Sequence, residues 1–283
     1  MKNNLMKAAM KNRIYAFTIF MFLTFVCCNA NTNKALSIQN LKCEYRVNPL
    51  GIDVHTPRLS WVLDSPQRDQ KQTAYQVLVS DNEKTLINNT GNIWDSEKIM
   101  SNQTNQVTYM GIPLKSQKRY YWKVRTWDKS DKVSDWSETA WWETSFLSQK
   151  EWTAQWINDG KTNPDRDEEF YMDDPGPLFR KEFQIDKPVK KARLYVSGLG
   201  YYEARLNGNR VGDHMLDPAL TSYSEKVLYS TYDVTDQLRS GSNCLGAMLG
   251  NGWYNVLPLR MWGELNLRQY MLSGRPRLIA QLI

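Results

Sequence analysis

The sequence of 283 residues has little of the chemistry that metal sites and nucleophilic enzymes require. It contains two histidines, His55 and His214, and four cysteines. No Cys-x-x-Cys or His-Glu-x-x-His spacing is present, which excludes zinc sites of those kinds. A Ser-His-Asp or Cys-His arrangement would have to use one of the two histidines, and neither lies in a recognisable nucleophile motif. We therefore assign no catalytic residue from the sequence.

The sequence also lacks a basic surface for nucleic acid. It carries 36 Lys+Arg and 30 Asp+Glu. Four of the bases and none of the acids lie in residues 1–30, so the rest of the chain has 32 bases, 30 acids and a net charge of +2. No Lys/Arg-rich run interleaved with aromatic residues follows. The sequence predicts no nucleic-acid partner.

Residues 1–30 have the pattern of a secretory signal peptide. Basic residues precede an apolar run, residues 14–26, that is too short to span a bilayer comfortably and is followed by small residues. Two processing routes fit this pattern, lipidation at Cys28 or cleavage after Ala30, and an uncleaved membrane anchor is the alternative. The expected location is the periplasm or the outer-membrane surface, with membrane contact only through the lipid anchor.

Two cysteines, Cys43 and Cys244, lie beyond this leader and in different predicted domains. A disulfide would require strands from two separate cores to meet. We therefore predict two buried free thiols.

Residues 36–148 are predicted to form an all-β sandwich, because short apolar segments recur there without a helical period. The predicted strands are 59–63, 75–79, 92–94, 106–110, 120–127 and 141–146. The details resemble a fibronectin type III domain. Trp61 matches the tryptophan that fills its core, and Leu114 followed by Tyr120 matches its tyrosine corner.

Trp141 and Trp142 must point to opposite faces of a strand. We expect one of them to face outward, packed against the next domain or, as the alternative, available as a glycan platform. Residues 151–157 form a short junction. The acidic segment 161–177 lacks the spacing of a calcium loop and is predicted to be a solvated insertion.

Residues 193–254 combine period-two alternation with a series of spaced motifs. A turn at Asn207-Gly208 separates two short strands, as in an antiparallel hairpin. Six motifs follow one another in order: LNG (206–208), VGD (211–213), Pro218-x-x-Thr221-x-Tyr223, YDVT (232–235), Gly241-x-Asn243 and GNGWY (250–254). This order resembles the amino-terminal jelly roll of the bacterial α-L-rhamnosidases, glycoside hydrolase family 78.

The resemblance implies a fold and an activity. The fold class is all-β, with a fibronectin type III-like sandwich followed by a jelly roll, residues 152–283, that is incomplete at its C-terminus. Family members hydrolyse terminal α-L-rhamnose with inversion, using two Glu residues on a helical barrel that follows the jelly roll. Because residues 276–283 have the pattern of a mid-domain strand, the chain is expected to stop before that barrel and to be unstable when isolated. The first domain is expected to survive proteolysis as a fragment near residues 36–148.

The resemblance and the sugar-binding pattern of aromatic rings beside polar side chains indicate one set of candidate residues. The carbohydrate-binding candidates are Tyr202, Glu203, Tyr223, Asn251, Trp253 and Tyr254. Glu203 and Asn251 resemble two calcium ligands of the family, although Ala204 stands where a second polar residue is wanted. The alternative is that Trp253 and Tyr254 are core residues and that Asn251-Gly252 is a simple turn. No cofactor is required.

Three functions fit these observations. The first is the non-catalytic amino-terminal part of an exported α-L-rhamnosidase with rhamnose-containing glycans or glycosides as partners. The second is a stand-alone surface glycan-binding lipoprotein. The third is a spacer module of another surface enzyme.

Overall fold

The structure is a computed structural model that describes residues 36–261, 263 and 265–283. The predicted leader and Cys28 lie outside these residues. Buried apolar side chains form two separate cores, one within residues 41–142 and one within residues 192–278. Among the described residues, no helix has both the length and the hydropathy needed to cross a bilayer. The predicted all-β class is confirmed.

The first domain is a sandwich of two antiparallel sheets. One sheet has the order β1-β2-β6, and the other has the order β4-β3-β7-β8 with β5 also paired to β3. The strands are β1 (Ser37–Cys43), β2 (Arg58–Asp64), β3 (Ala74–Ser80), β4 (Trp94–Asp95), β5 (Ile99–Met100), β6 (Val107–Thr108), β7 (Arg119–Trp127) and β8 (Ala140–Glu143). A short helix, Glu83–Ile87, begins after Asn82, whose side chain accepts a hydrogen bond from the backbone N–H of Lys84.

Two predicted marks of the first domain are confirmed. Trp61 is buried in the core, and its indole N–H donates to Oε1 of Gln72 at 3.1 Å. The hydroxyl of Tyr120 accepts a hydrogen bond from the backbone N–H of Lys115 at 2.7 Å, beside the buried Leu114. This bond fixes the corner that leads into β7.

Several predicted strand boundaries were wrong. The strand expected at 106–110 contains only Val107–Thr108, because its partner β2 pairs with those two residues alone. The strand expected at 141–146 ends at Glu143, where the backbone turns to pair with other segments: the N–H of Thr144 donates to Lys118 and that of Ser145 donates to Ile52. Strand β1 and the helix Glu83–Ile87 were not predicted.

The second domain also consists of two antiparallel sheets. One has the order β13-β10-β17, the other the order β12-β11-β14-β9, and β15 and β16 form a separate hairpin. The strands are β9 (Leu178–Ile185), β10 (Arg193–Leu199), β11 (Tyr201–Leu206), β12 (Asn209–Arg210), β13 (Ser230–Asp233), β14 (Gly241–Gly250), β15 (Arg260–Met261), β16 (Leu265–Asn266) and β17 (Arg277–Leu282). Short helical turns occur at Gln149–Glu151, Asp167–Tyr171, Thr235–Gln237 and Leu267–Tyr270.

The predicted hairpin is confirmed. Strands β11 and β12 pair across Asn207 and Gly208, which both have positive φ angles, 52° and 87°. Positive φ at both central positions is the requirement of a type I′ turn, whose twist matches that of the flanking strands. The strand predicted near the C-terminus is also present, as β17, which pairs with β10.

The acidic segment 161–177 is largely exposed, as predicted, but ion pairs with Arg275 hold its C-terminal part and the residues just before it. The buried guanidinium of Arg275 binds the carboxylates of Asp159 and Asp174. The segment therefore packs along the second domain near the start of β17.

Cys43 and Cys244 are both free. Cys43 is buried, as predicted, whereas Cys244 is only half-buried, which corrects the second prediction. Strand alternation explains the difference, because Asn243 takes the buried position on β14 and Cys244 points to the other face, 3.4 Å from Nε of Arg180.

The two domains meet through aromatic rings and a buried ion pair. Rings from both domains and the junction form one cluster: Phe146, Trp152, Tyr195 and Tyr229. The hydroxyl of Tyr229 donates to Oγ of Ser145 at 2.6 Å. Glu143 of β8 binds Arg193 of β10.

Trp142 is fully buried in the first core, and Trp141 takes the opposite face of β8. The guanidinium of Arg119, from the same domain, covers the ring of Trp141 at 3.8 Å. Arg119 therefore occupies one face of this ring. The contact with the second domain on this face of β8 comes from Glu143.

Candidate functional site

Four of the predicted residues lie together at one end of the second domain. Asn251, Trp253 and Tyr254 belong to the turn that follows β14, and Tyr223 packs edge-on against Tyr254 with ring centroids 5.6 Å apart. We call Tyr223, Asn251, Trp253 and Tyr254 the rim cluster.

Glycines allow the backbone of the rim cluster to fold tightly against the turn before β11. Gly252 has a φ of +49°, and a Cβ there would lie 3.1 Å from the backbone of Gly200. Gly200 has a φ of +102°, and its Cβ would lie 2.3 Å from the carbonyl oxygen of Gly250. Side chains at these two positions would separate the turns. The GNGWY motif therefore specifies a close backbone approach.

The members of the rim cluster differ in exposure. The side chain of Trp253 is 43% exposed, whereas Tyr254 is 6% exposed. Burial raises the pKa of Tyr223, which is half-buried. Trp253 therefore lies at the surface, whereas Tyr254 is buried against Tyr223.

Tyr202 and Glu203 do not join the rim cluster. The hydroxyl of Tyr202 points into the domain and donates to Oδ2 of Asp217, and burial together with that contact raises its pKa strongly. Glu203 points to the outer face of the sheet, where its carboxylate lies 2.9 Å from Arg205 and 3.8 Å from Arg210. Tyr202 and Glu203 are consecutive residues of β11, so their side chains face opposite sides of the sheet.

Glu203 and Asn251 do not fit a shared calcium site. The carboxylate of Glu203 is paired with arginines, and Oδ1 of Asn251 accepts a hydrogen bond from Nδ2 of Asn255 at 2.8 Å. Within residues 36–261, 263 and 265–283, no group of three or more His, Cys, Asp or Glu could hold a metal ion. Calcium binding stays a prediction from the resemblance, and no step is derived through it.

A second polar cluster, centred on Asp217, was not predicted. Oδ2 of Asp217 accepts a hydrogen bond from Oγ of Ser230 at 2.7 Å, and Nδ1 of His214 lies 3.3 Å from that hydroxyl and 3.7 Å from Oδ1 of Asp217. A catalytic triad places Ser and Asp on different ring nitrogens of His, whereas both approach Nδ1 here. The cluster is not a triad. Two of its members, His214 and Asp217, lie close together in the sequence, in the motif GDHMLDP at residues 212–218.

Two family models match successive parts of the chain. The model described as the Rha78A-like N-terminal immunoglobulin domain matches residues 38–148, and the α-L-rhamnosidase N-terminal domain matches residues 187–283. The chain is assigned to the amino-terminal region of the α-L-rhamnosidases.

Individual rhamnosidases agree with this assignment. A curated α-L-rhamnosidase of Formosa agariphila is 38% identical over 234 residues, which cover 78% of this chain and 25% of that protein. The solved α-L-rhamnosidase of Dictyoglumus thermophilum is 38% identical with a TM-score of 0.75, and the match covers 87% of this chain and 27% of that one. The Streptomyces avermitilis enzyme, solved in complex with L-rhamnose, is 25% identical with a TM-score of 0.74, covering 87% of this chain and 39% of that one. The match covers between 25% and 29% of the length of three curated relatives.

Proposed function

We propose that this chain is the non-catalytic amino-terminal part of an exported α-L-rhamnosidase, an enzyme that hydrolyses terminal α-L-rhamnose from glycans or glycosides. The observation that carries the proposal is the succession of two rhamnosidase amino-terminal domains over most of the chain. The matching region makes up about a quarter of the curated relatives. The role of this part is scaffolding and accessory recognition of the glycan.

The rim cluster is the proposed recognition site. L-rhamnose is a deoxy sugar, so it presents a methyl group and C–H bonds as well as hydroxyls. An exposed indole can stack on the apolar side of such a ring, and neighbouring amide groups can bind the hydroxyls. Trp253 supplies the indole, and Asn251 lies exposed beside it.

Isothermal titration of the purified chain with L-rhamnose tests this site. We expect saturable binding that Trp253→Ala weakens. Trp156→Ala is the matched control, because Trp156 is exposed to a similar degree, 39%, but lies in the junction before the second domain. Equal binding by both variants would remove the rim cluster from the proposal. Repeating the titration with a chelator and with added calcium tests the calcium prediction.

Export is supported by the pattern of residues 1–30. The intact mass of the protein purified from its native host tests the route. Lipidation predicts a mature protein that begins at Cys28 and carries acyl groups, which Cys28→Ala would remove. Cleavage after Ala30 predicts an unmodified mature protein that begins at Asn31. A cytoplasmic product that retains Met1 would contradict export.

A further inference from the structure

A cleft of about 610 Å³ lies between the two domains, in a part of the molecule that the rim cluster does not use. One wall is the segment between β1 and β2, residues 46–53. The other consists of residues 226–232 together with Asp213, His214 and Asp217. Ligand sites of about 300–1,000 Å³ occur preferentially at such domain interfaces.

The walls of the cleft are held in place by contacts around it. Gly51 of the first domain packs directly on Thr231 of the second, since a Cβ at position 51 would lie 2.5 Å from Oγ1 of Thr231. The bond from Tyr229 to Ser145 fixes the same wall to the first domain. The cleft is therefore preformed, which reduces the ordering cost of binding a ligand there.

Asp217 offers a hydrogen-bond acceptor in this cleft. Oδ2 is fixed by the hydroxyls of Ser230 and Tyr202. Oδ1 lies 3.7 Å from Nδ1 of His214, beyond hydrogen-bond distance. Among the described residues, no hydrogen bond to Oδ1 is present, so this oxygen retains acceptor capacity. The ring of His214 stands beside it, 5.4 Å from that of Tyr232.

The charge of the cleft indicates what it would accept. Its lining contains four acids and two bases: Glu44, Asp53, Asp213, Asp217, Arg46 and Lys226. Glu44 is neutralised by Arg58 outside the lining, which leaves three acids against two bases. This excess of acids disfavours an anionic ligand such as an acidic sugar. A carboxylate oxygen beside an imidazole and an aromatic ring is suited to neighbouring hydroxyl groups on a neutral ring.

We propose that the interdomain cleft is a second saccharide subsite, in which Asp217 and His214 bind hydroxyl groups of a neutral glycosyl unit. This second subsite is separate from the rim cluster. It rests on the proposed function only for the choice of a saccharide as ligand. The glycosyl unit would contact both domains at once.

The two histidines make this proposal directly measurable. His55 is exposed and is not part of the cleft wall. Ring signals of His214 can be assigned in a proton–carbon NMR spectrum by comparison with His55→Gln. The probes are L-rhamnose and D-glucose, titrated into the Trp253→Ala chain so that the rim cluster does not contribute. We expect His214 signals to shift saturably with at least one sugar and His55 signals to stay in place. Static His214 signals, or a linear shift shared with His55, would overturn the proposal.

Calorimetry on paired variants provides an independent check. In the Trp253→Ala background, His214→Gln is expected to weaken binding of the sugar about tenfold, whereas His55→Gln leaves it unchanged. Equal affinities of the two would also overturn the proposal. If the His214 signals do not shift but the unmodified chain still binds L-rhamnose through Trp253, the cleft proposal fails and the proposed function stands. If the His214 signals shift saturably but Trp253→Ala does not weaken binding of L-rhamnose, the cleft proposal stands and the rim cluster is not a recognition site.

Discussion

The carboxylate of Glu143 in the first domain binds the guanidinium of Arg193 in the second, with Nε and Nη2 at 2.7 and 3.1 Å from the two carboxylate oxygens. Both side chains are almost completely buried, with 1% and 5% of their surface exposed. Lys191 adds a contact to Glu143 at 3.1 Å, and Asp233 lies 2.7 Å from Nη1 of Arg193. A charged network with satisfied hydrogen bonds thus joins the two domains.

Removing one partner of this pair is expected to be costly, because it leaves a charge in the interface without its main partner. We predict that Arg193→Met lowers the free energy of unfolding by about 3 kcal/mol. The control is Arg205→Met, which breaks the more exposed pair with Glu203 and should cost less than about 1 kcal/mol. Urea unfolding of the three proteins measures both values. An Arg193→Met protein as stable as the control would show that the pair does not hold the domains together.

The same pair makes stability depend on pH. Burial by itself would raise the pKa of Glu143, but the hydrogen bonds and charges of Arg193 and Lys191 outweigh it, and the pKa lies below its ordinary value. A lowered folded-state pKa contributes stability that is present above the unfolded pKa, about 4.3, and is lost as the pH falls through the folded value. The stability difference between the natural chain and Glu143→Gln should therefore shrink as the pH is lowered below about 4. A difference that stays constant from neutral to acidic pH would contradict this.

The tyrosine corner supplies a prediction for the first domain alone. In Tyr120→Phe the backbone N–H of Lys115 loses its acceptor, and an unpaired amide of this kind costs about 1–3 kcal/mol. Tyr121→Phe, on the opposite face of β7, is the control and should change stability little. Thermal unfolding compares the two. Similar losses in both variants would mean that the hydroxyl of Tyr120 has no special role.

The two free thiols should differ in reactivity. Burial, aided by the charge of Glu44, raises the pKa of the Cys43 thiol, so little thiolate is available and reagent cannot reach it. Cys244 is half-buried on the outer face of its sheet. Peptide mapping after treatment with iodoacetamide should find Cys244 modified in the native protein and Cys43 modified only with denaturant. Modification of both at the same rate would contradict the burial of Cys43.

The sequence was informative wherever a feature depends on local spacing. Alternation predicted β10 and β11, and positive φ at Asn207 and Gly208 followed from the turn type that a hairpin requires. Trp61 and Tyr120 took their predicted positions because each belongs to a short motif. Strand ends were less predictable, because they depend on how far a partner strand extends.

The candidate site was predictable only in part. Asn251, Trp253 and Tyr254 are neighbours in the chain, so their proximity required no knowledge of the fold. Grouping Tyr202 with Glu203 neglected the alternation of the strand that carries them, which sends their side chains to opposite faces.

The pairing of Glu143 with Arg193, and of Asp217 with Tyr202, joins residues that are distant in the chain. Such pairs are created by domain packing and by strand register. The local sequence of either partner does not indicate which distant residue it contacts.

The most direct test of recognition without catalysis is one proton NMR experiment on the purified chain with an aryl α-L-rhamnoside. Saturation transferred from the protein reports binding of the rhamnosyl ring, and the same spectra report free L-rhamnose. We predict saturation transfer to the rhamnosyl protons and no release of L-rhamnose over the experiment. Release of the sugar would contradict the non-catalytic role, and absence of transfer would contradict recognition.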